Sequence, residues 1–147
     1  MKVLGSAAKT AYYYKKFQGF SPDWKLQYKL KCKSTEYELS DWIQTYPIKR
    51  NKPLAIVAKE QFLGIGQNSR PWFSPKGGIW LSAAYPIFSS EFSSDILSLS
   101  FAIKLCEMFN KESIKVDLKW PNDILYDSKK LIGFLPRVIT RGKEIIY

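Results

Sequence analysis

A glycine-rich segment with one arginine and two aromatic residues could bind an anionic ligand. It reads Gly64-Ile65-Gly66-Gln67-Asn68-Ser69-Arg70-Pro71-Trp72-Phe73-Ser74-Pro75-Lys76-Gly77-Gly78. Glycines let a backbone approach a ligand closely, and successive exposed amides can cradle an anion. Arg70 adds a planar positive group suited to phosphate or carboxylate, and Trp72 offers a flat face for a base. The alternative is a surface loop with an incidental arginine, since neither a P-loop nor a dinucleotide fingerprint is present.

A second segment combines basic, amide and carboxylate side chains. It reads Lys119-Trp120-Pro121-Asn122-Asp123 and is followed closely by Lys129-Lys130-Leu131-Ile132-Gly133. A lysine at a strand end can face a transferring phosphate, and an Asn-Asp pair can bind magnesium through oxygen or hold a ligand. The alternative is a Pro-Asn-Asp turn flanked by solvated lysines. That alternative does not explain the neighbouring tryptophan, so both interpretations stay open.

The composition limits which chemistry these segments can perform. The 147 residues include no histidine and two cysteines, Cys32 and Cys106, and carry a formal charge of +10. Nucleophile–histidine pairs and histidine metal sites are therefore excluded, and we predict no metal site of purely protein origin. The charge indicates either a solvated lysine-rich surface or attraction to an anionic partner. Two cysteines favour a reducing cytoplasm, and neither a membrane span nor a signal peptide is evident.

Hydrophobic periodicity places both segments within alternating strands and helices. Residues 24–32 alternate apolar and polar as a half-buried strand, and Thr35 with Glu38 fits a capping box that opens a helix. Further strands are predicted at 54–58, 79–85 and 114–119, with a hairpin of 124–126 and 131–135 around a turn at 127–130 and a last strand from Glu144. A helix from Ser93 or Ser94 to about Asn110 is apolar nearly all round and should be well buried.

These elements predict an α+β fold. We expect a central mixed or antiparallel sheet with helices packed on one face, because hairpins outnumber crossovers. The length indicates a single domain over residues 1–147, with an irregular N-terminal arm at 1–22.

The order and spacing of the motifs resemble the biotin protein ligases. The resemblance covers about residues 30–147. It is carried by Ser34-Thr35, the Gly-x-Gly-x-x-x-Arg-x-Trp-x-Ser-Pro-x-Gly-Gly segment, Lys-Trp-Pro-Asn-Asp and Lys-Leu-x-Gly. It implies a biotin/lipoate ligase-like fold, here incomplete: a catalytic domain without a DNA-binding domain or the small C-terminal barrel.

The resemblance also implies site residues. Lys130 would contact the activated carboxylate and is the expected catalytic residue. Biotin would bind at Ser34, Thr35, Glu36, Gln61, Ile65, Gly66, Gln67, Lys130, Gly133 and Leu135. The nucleotide would bind at Gly64, Arg70, Trp72, Lys119, Asn122 and Asp123.

The implied activity is ATP-dependent biotinylation in the cytoplasm. Biotin, ATP and Mg²⁺ would form biotinyl-5′-AMP, and the biotin carboxyl carrier protein of acetyl-CoA carboxylase would accept the biotinyl group. No DNA or membrane partner is expected, and a homodimer stays open. The alternatives are a lipoate or octanoate ligase or transferase, a biotin-binding remnant without activity, and a basic nucleic-acid-binding module.

Three positions depart from the family pattern. The family usually has Gly-Arg-Gly-Arg where this chain has Gly64-Ile65-Gly66-Gln67, and Arg137 stands where an acidic residue is frequent. Each missing charge-assisted hydrogen bond weakens transition-state stabilisation by roughly 1.5–3 kcal/mol. We therefore expect slower chemistry than in members that keep both arginines.

Overall fold

The computed structural model describes residues 7, 24–45, 52–87, 93–141 and 144–146. They form two compact units: the first holds the described residues up to Ile87 together with Ile146, and the second those from Ser93 to Ile145. The single domain over 1–147 stays a prediction. The irregular arm at 1–22 lies outside the described residues, apart from Ala7.

The first unit is built on a mixed three-stranded sheet. Its strands are β1 (Lys25–Lys29), β2 (Leu54–Ala58) and β3 (Trp80–Ala84), in the order β1-β2-β3. Strand β2 runs parallel to β1 and antiparallel to β3. All five residues of β2 are buried, which explains why its sequence is a continuous apolar run rather than an alternating one.

Helix α1 (Thr35–Thr45) covers this sheet. Its Leu39 and Ile43 form the core together with Leu54, Ile56 and Ala84, and the half-buried Trp42 packs against that core. The helix therefore contributes an i, i+4 pair, as expected for an amphipathic surface helix.

The predicted capping box of α1 is wrong by one residue. Ser34 is the N-cap, because its hydroxyl accepts a hydrogen bond from Tyr37 N at 3.0 Å. Thr35 is the first helical residue, and its hydroxyl lies 2.7 Å from Ser82 Oγ on β3. Glu38 forms an ion pair with Lys29 at 3.2 Å. Thr35 and Glu38, which the local pattern had paired with each other, therefore each contact a residue of the sheet instead.

The second unit contains an antiparallel sheet of three strands and a long helix. The strands are β5 (Asp117–Lys119), β6 (Asp123–Tyr126) and β7 (Lys129–Gly133), in chain order. Strands β6 and β7 are joined by Asp127 and Ser128, whose φ angles of 48° and 60° are both left-handed. Two such residues match the twist of a tight hairpin, so the predicted hairpin is confirmed with a shorter turn.

Helix α2 (Ser94–Lys111) begins as predicted but is less buried than predicted. Its N-cap Ser93 accepts a hydrogen bond from Ile96 N at 3.3 Å. Only Ser98 and Ala102 of this helix are buried, whereas Phe101 and Met108 are 58% and 60% exposed. The helix packs against β5 and β6. Because these strands are short, they cover only one narrow stripe of a helix that is apolar nearly all round.

The remaining described strands are short. They are β4 (Pro86–Ile87), β8 (Ile139–Arg141) and β9 (Glu144–Ile146), with β9 beside β8. The α+β class with mixed and antiparallel sheets is confirmed. In the part of the chain that the structure describes, neither helix combines the length and apolarity that a membrane crossing requires.

Replacing Ile56 by Ala should lower the free energy of unfolding by about 2–5 kcal/mol, because the side chain is 1% exposed at the centre of β2. Urea unfolding followed by circular dichroism measures this change. Leu81→Ala on neighbouring β3, where the side chain is 56% exposed, is the matched control and should cost about 0.5 kcal/mol or less. Equal losses in the two variants would contradict the assignment of β2 as the core strand.

Candidate functional site

Gln61 connects the start of helix α1 to the glycine-rich segment. Its Oε1 accepts a hydrogen bond from Thr35 N at 2.6 Å, and its Nε2 donates one to Ser74 Oγ at 2.7 Å. The Ser74 hydroxyl in turn donates to Trp72 O at 3.1 Å, and Ser74 is 2% exposed. Both ends of the Gln61 amide are thereby oriented, and the amide satisfies one of the unpaired N–H groups at the helix start.

Ser34 and Thr35 are buried, with 6% and 4% exposure, and Glu36 follows in the first turn of α1. Thr35 contacts Gln61 through its backbone and Ser82 through its hydroxyl. Sequence reasoning missed Ser82. A sequence signal for Ser82 exists: it is a small polar residue two positions before the fully buried Ala84, and it therefore lies on the same face of β3.

The glycine-rich segment folds back on itself. Gln61 forms an antiparallel β-bridge with Ser74, and Ile65 forms one with Pro71. Trp72 N donates to Gly64 O at 2.7 Å, and Asn68 and Ser69 turn the chain with φ angles of 54° and 59°. The segment is therefore a short hairpin whose base is held by the Gln61–Ser74 contact.

Gly64 is required by close packing within this hairpin. A Cβ atom there would lie 2.5 Å from Trp72 O and 2.8 Å from Ser74 Oγ. Gly66 N donates to Arg70 O at 2.8 Å, so this amide is engaged within the loop rather than exposed to a ligand. The expected cradle of free amides is thus not present at Gly66 in this structure.

The tip of the hairpin presents one cation to solvent. Arg70 is exposed, as are Ile65 and Gln67, whereas Trp72 is half-buried. Among the residues that the structure describes, no carboxylate lies within ion-pair distance of the Arg70 guanidinium. Arg70 is consequently available to an anionic ligand.

In the second unit, Lys130 and Asp123 form an ion pair. Lys130 Nζ lies 2.6 Å from Asp123 Oδ1, and the side chains are 41% and 16% exposed. The contact is short, but Oδ1 lacks a well-directed hydrogen bond, so we treat it as a charge contact. A carboxylate so largely removed from water depends on its cation.

Asn122, just before β6, is hydrogen-bonded to Phe134, just after β7. Its Nδ2 donates to Phe134 O at 2.7 Å, and Phe134 N donates to Asn122 O at 2.8 Å. Lys119 and Leu135 are exposed and Gly133 is half-buried. In this structure the Asn122 side chain therefore has a bracing role, and its predicted nucleotide contact stays a prediction.

The predicted site residues thus fall into two groups, one in each unit. The first unit holds Ser34, Thr35, Glu36, Gln61, Gly64, Ile65, Gly66, Gln67, Arg70 and Trp72. The second holds Lys119, Asn122, Asp123, Lys130, Gly133 and Leu135. Hydrogen bonds connect Thr35, Gln61 and the hairpin base directly in one group, and an ion pair connects Asp123 with Lys130 in the other.

Two further observations concern the metal-ligating and thiol side chains of the described residues. Across residues 24–45, 52–85 and 93–138, no three metal-ligating side chains cluster. Burial, followed by the charge of Glu38, raises the pKa of the Cys32 thiol. Cys32 is therefore a neutral thiol at physiological pH, unlike an activated nucleophile.

A sequence model of the biotin/lipoate A/B protein ligase family matches residues 33–146. The chain belongs to this family. Its two groups of side chains lie within the matched range, and so do both motifs on which the resemblance rested.

Curated relatives match a shorter region. The bifunctional ligase/repressor BirA of Bacillus subtilis is 35% identical over 82 residues, which is 54% of this chain and 25% of that protein. The biotin–[acetyl-CoA-carboxylase] ligase of Paracoccus denitrificans is 28% identical over 83 residues, 54% of this chain and 35% of that protein. The matched region therefore spans about a quarter to a third of these relatives.

Solved structures share the fold. The biotin protein ligase from Aquifex aeolicus in complex with biotin and ATP has a TM-score of 0.61 at 25% identity, covering 83% of this chain and 49% of that one. The biotin acetyl coenzyme A carboxylase synthetase from Helicobacter pylori has a TM-score of 0.67 at 24% identity, covering 82% and 57%. The biotin ligase-like α+β fold is thereby confirmed.

Replacing Ser74 by Ala should lower the free energy of unfolding by about 1–3 kcal/mol, because it removes an acceptor from Gln61 Nε2 and a donor from Trp72 O. Urea unfolding followed by circular dichroism measures the loss. Ser100→Ala, at an exposed position of α2, is the control and should change stability by less than about 0.5 kcal/mol. A Ser74 variant as stable as the Ser100 variant would contradict the proposed bracing of Gln61.

Proposed function

We propose that the chain supplies catalytic residues of a biotin protein ligase. Biotin and ATP would form biotinyl-5′-AMP, and a lysine of the biotin carboxyl carrier protein of acetyl-CoA carboxylase would accept the biotinyl group. The observation that carries this proposal is the family match over residues 33–146. That range contains both an exposed arginine on a braced hairpin and a lysine held against a largely buried carboxylate.

The first unit would bind the ureido end of biotin. Ser34 and Thr35 are buried hydroxyl side chains fixed at the start of α1, and Gln61 is fixed beside them. The Gln61 amide uses one of its two acceptor positions for Thr35 N and one of its two donor positions for Ser74, so one of each would remain for a ligand. Small polar groups at fixed positions are the means by which ligand pockets orient a substrate.

Lys130 would stabilise charge during activation. The biotin carboxylate oxygen attacks the α-phosphorus of ATP, a bond to that phosphorus forms, and pyrophosphate leaves. Both reacting groups are anionic, so the Lys130 ammonium would reduce their repulsion by electrostatic positioning. No covalent enzyme intermediate is needed, in agreement with a chain that has no histidine.

Magnesium would enter with the nucleotide. Mg²⁺ commonly binds substrate phosphates and several waters, with few protein carboxylates.

The second step joins biotin to the carrier. The lysine amine attacks the acyl carbon of biotinyl-5′-AMP, an amide forms, and AMP leaves. The formal charge of +10 would favour encounter with an acidic carrier domain, because opposite charges steer association.

Biotin, Mg²⁺ and α-labelled ATP should yield labelled biotinyl-5′-AMP with the purified 147-residue chain, and omission of biotin should abolish the product. Lipoate or octanoate in place of biotin tests the related ligase activities. Biotin binding without product would identify a binding remnant and reject the catalytic proposal. Neither product nor binding in a folded sample would reject the function altogether.

Replacing Lys130 by Ala should lower the rate of biotinyl-5′-AMP formation about 10²- to 10³-fold, as expected when one preorganised charge contact is lost. The adenylation assay measures the rate, and circular dichroism checks folding. Lys129→Ala is the matched control, because the neighbouring exposed lysine has no assigned role. An undiminished rate in the Lys130 variant would contradict its catalytic assignment.

Introducing Ile65→Arg and Gln67→Arg together should accelerate adenylate formation by roughly 10²- to 10⁴-fold if the two contributions add. Both positions are exposed on the hairpin, so the longer side chains require no repacking. The ratio of the rates of the two proteins is the readout. Rates that stay equal would show that this chain does not depend on charges at these positions.

A further inference from the structure

The Asp123–Lys130 pair differs from a typical surface ion pair. Asp123 is 16% exposed, whereas both partners of the Lys104–Glu107 pair on α2 are at least 50% exposed. Exposed pairs of that kind contribute little, because water and mobile ions screen them. Water reaches Asp123 far less, so its charge acts on Lys130 with less screening.

Asp123 is held rigidly by its surroundings. Its neighbour Ile124 is completely buried, and Asn122 on the other side is tied to Phe134 by two hydrogen bonds. Strand β6 fixes the backbone further, with Asp123 paired to Gly133. The backbone that carries the Asp123 carboxylate is therefore fixed within the second unit.

The Lys130 side chain extends from an exposed part of β7. It lies on β7 between Lys129 and Leu131, which are both exposed. Its ammonium sits at the end of a flexible four-carbon side chain with three rotatable donors. The strand backbone alone therefore does not determine where the charge lies.

An irregularity between β6 and β7 brings the two side chains together. Leu125 is opposite Lys130, whereas Ile124 is opposite Ile132, so Leu131 is an extra residue in β7. Asp123 and Leu125 share one face of β6 because strand side chains alternate. Lys130, opposite Leu125, lies on that face too, diagonal to Asp123 and within reach of its carboxylate.

We infer that Asp123 is a positioning residue that holds the Lys130 ammonium in the place where it acts. This inference rests on the proposed function, since it assigns Asp123 to the support of the proposed catalytic lysine rather than to contact with the nucleotide. A carboxylate that selects one orientation of a lysine raises the fraction of molecules ready to stabilise the reacting anions.

Chemical labelling tests the positioning without reference to activity. Wild-type protein and the Asp123→Asn variant are treated with a limiting amine-acylating reagent, and labelling of Lys130 is compared with that of Lys129 by peptide mass spectrometry. Loss of the carboxylate should raise Lys130 labelling severalfold relative to Lys129, because an ammonium held in an ion pair reacts slowly. Glu107→Gln, which removes the exposed pair on α2, should leave the ratio unchanged. An unchanged ratio in the Asp123 variant would overturn the inference.

Adenylation kinetics test the consequence. Asp123→Asn should lower the rate of biotinyl-5′-AMP formation about tenfold with little change in the KM for biotin, and Asp123→Glu should restore part of the loss. In the Lys130→Ala background, Asp123→Asn should cause no further loss, because coupled residues are not additive. Equal losses in both backgrounds would overturn the positioning role. Failure of the wild-type chain to form adenylate would reject the proposed function, while the labelling ratio would still decide whether Asp123 holds Lys130.

Discussion

Complete burial of β2 is the constraint on which the first unit depends. A strand that is apolar at every position is stable only when it is withdrawn from water; β1 and β3 pair with its two edges, and α1 covers the face that carries Leu54 and Ile56. The end of β2 then delivers Gln61 next to the start of α1. The polar network that joins Thr35, Gln61 and Ser74 is therefore a consequence of where one apolar strand ends.

The same strand end sets the geometry of the glycine-rich hairpin. Gln61 pairs with Ser74 at its base, and Gly64 permits an approach to Trp72 O that a side chain would prevent. Gly64 thus lets the two sides of the hairpin pack closely against each other. Arg70 lies on a hairpin whose Gly66, Arg70 and Trp72 amides are hydrogen-bonded within the loop, so the backbone that carries this cation is already ordered.

Arg70 in the first unit and Lys130 in the second are held in different ways. Arg70 projects from the hairpin tip and relies on the planar guanidinium for orientation, whereas Lys130 has a partner carboxylate that is largely withdrawn from water. Both side chains are flexible, but the planar guanidinium is preorganised for two parallel hydrogen bonds, whereas the ammonium is a point charge whose position a fixed counter-charge restricts. This difference supports the proposed role of the Asp123 carboxylate in positioning Lys130.

The sequence by itself determined the apolar run of β2, the alternation of β1, the start of α2 at Ser93 and the hairpin of β6 and β7, because each depends on neighbours within a few residues. The motifs also indicated the family. Only the tertiary structure decided that Ser34 rather than Thr35 caps α1, that Ser82 joins the polar network, that α2 leaves most of its apolar surface uncovered, and that Lys130 faces Asp123. These features depend on which strands lie beside one another, in what register and with what irregularity, and the local sequence pattern does not determine any of these.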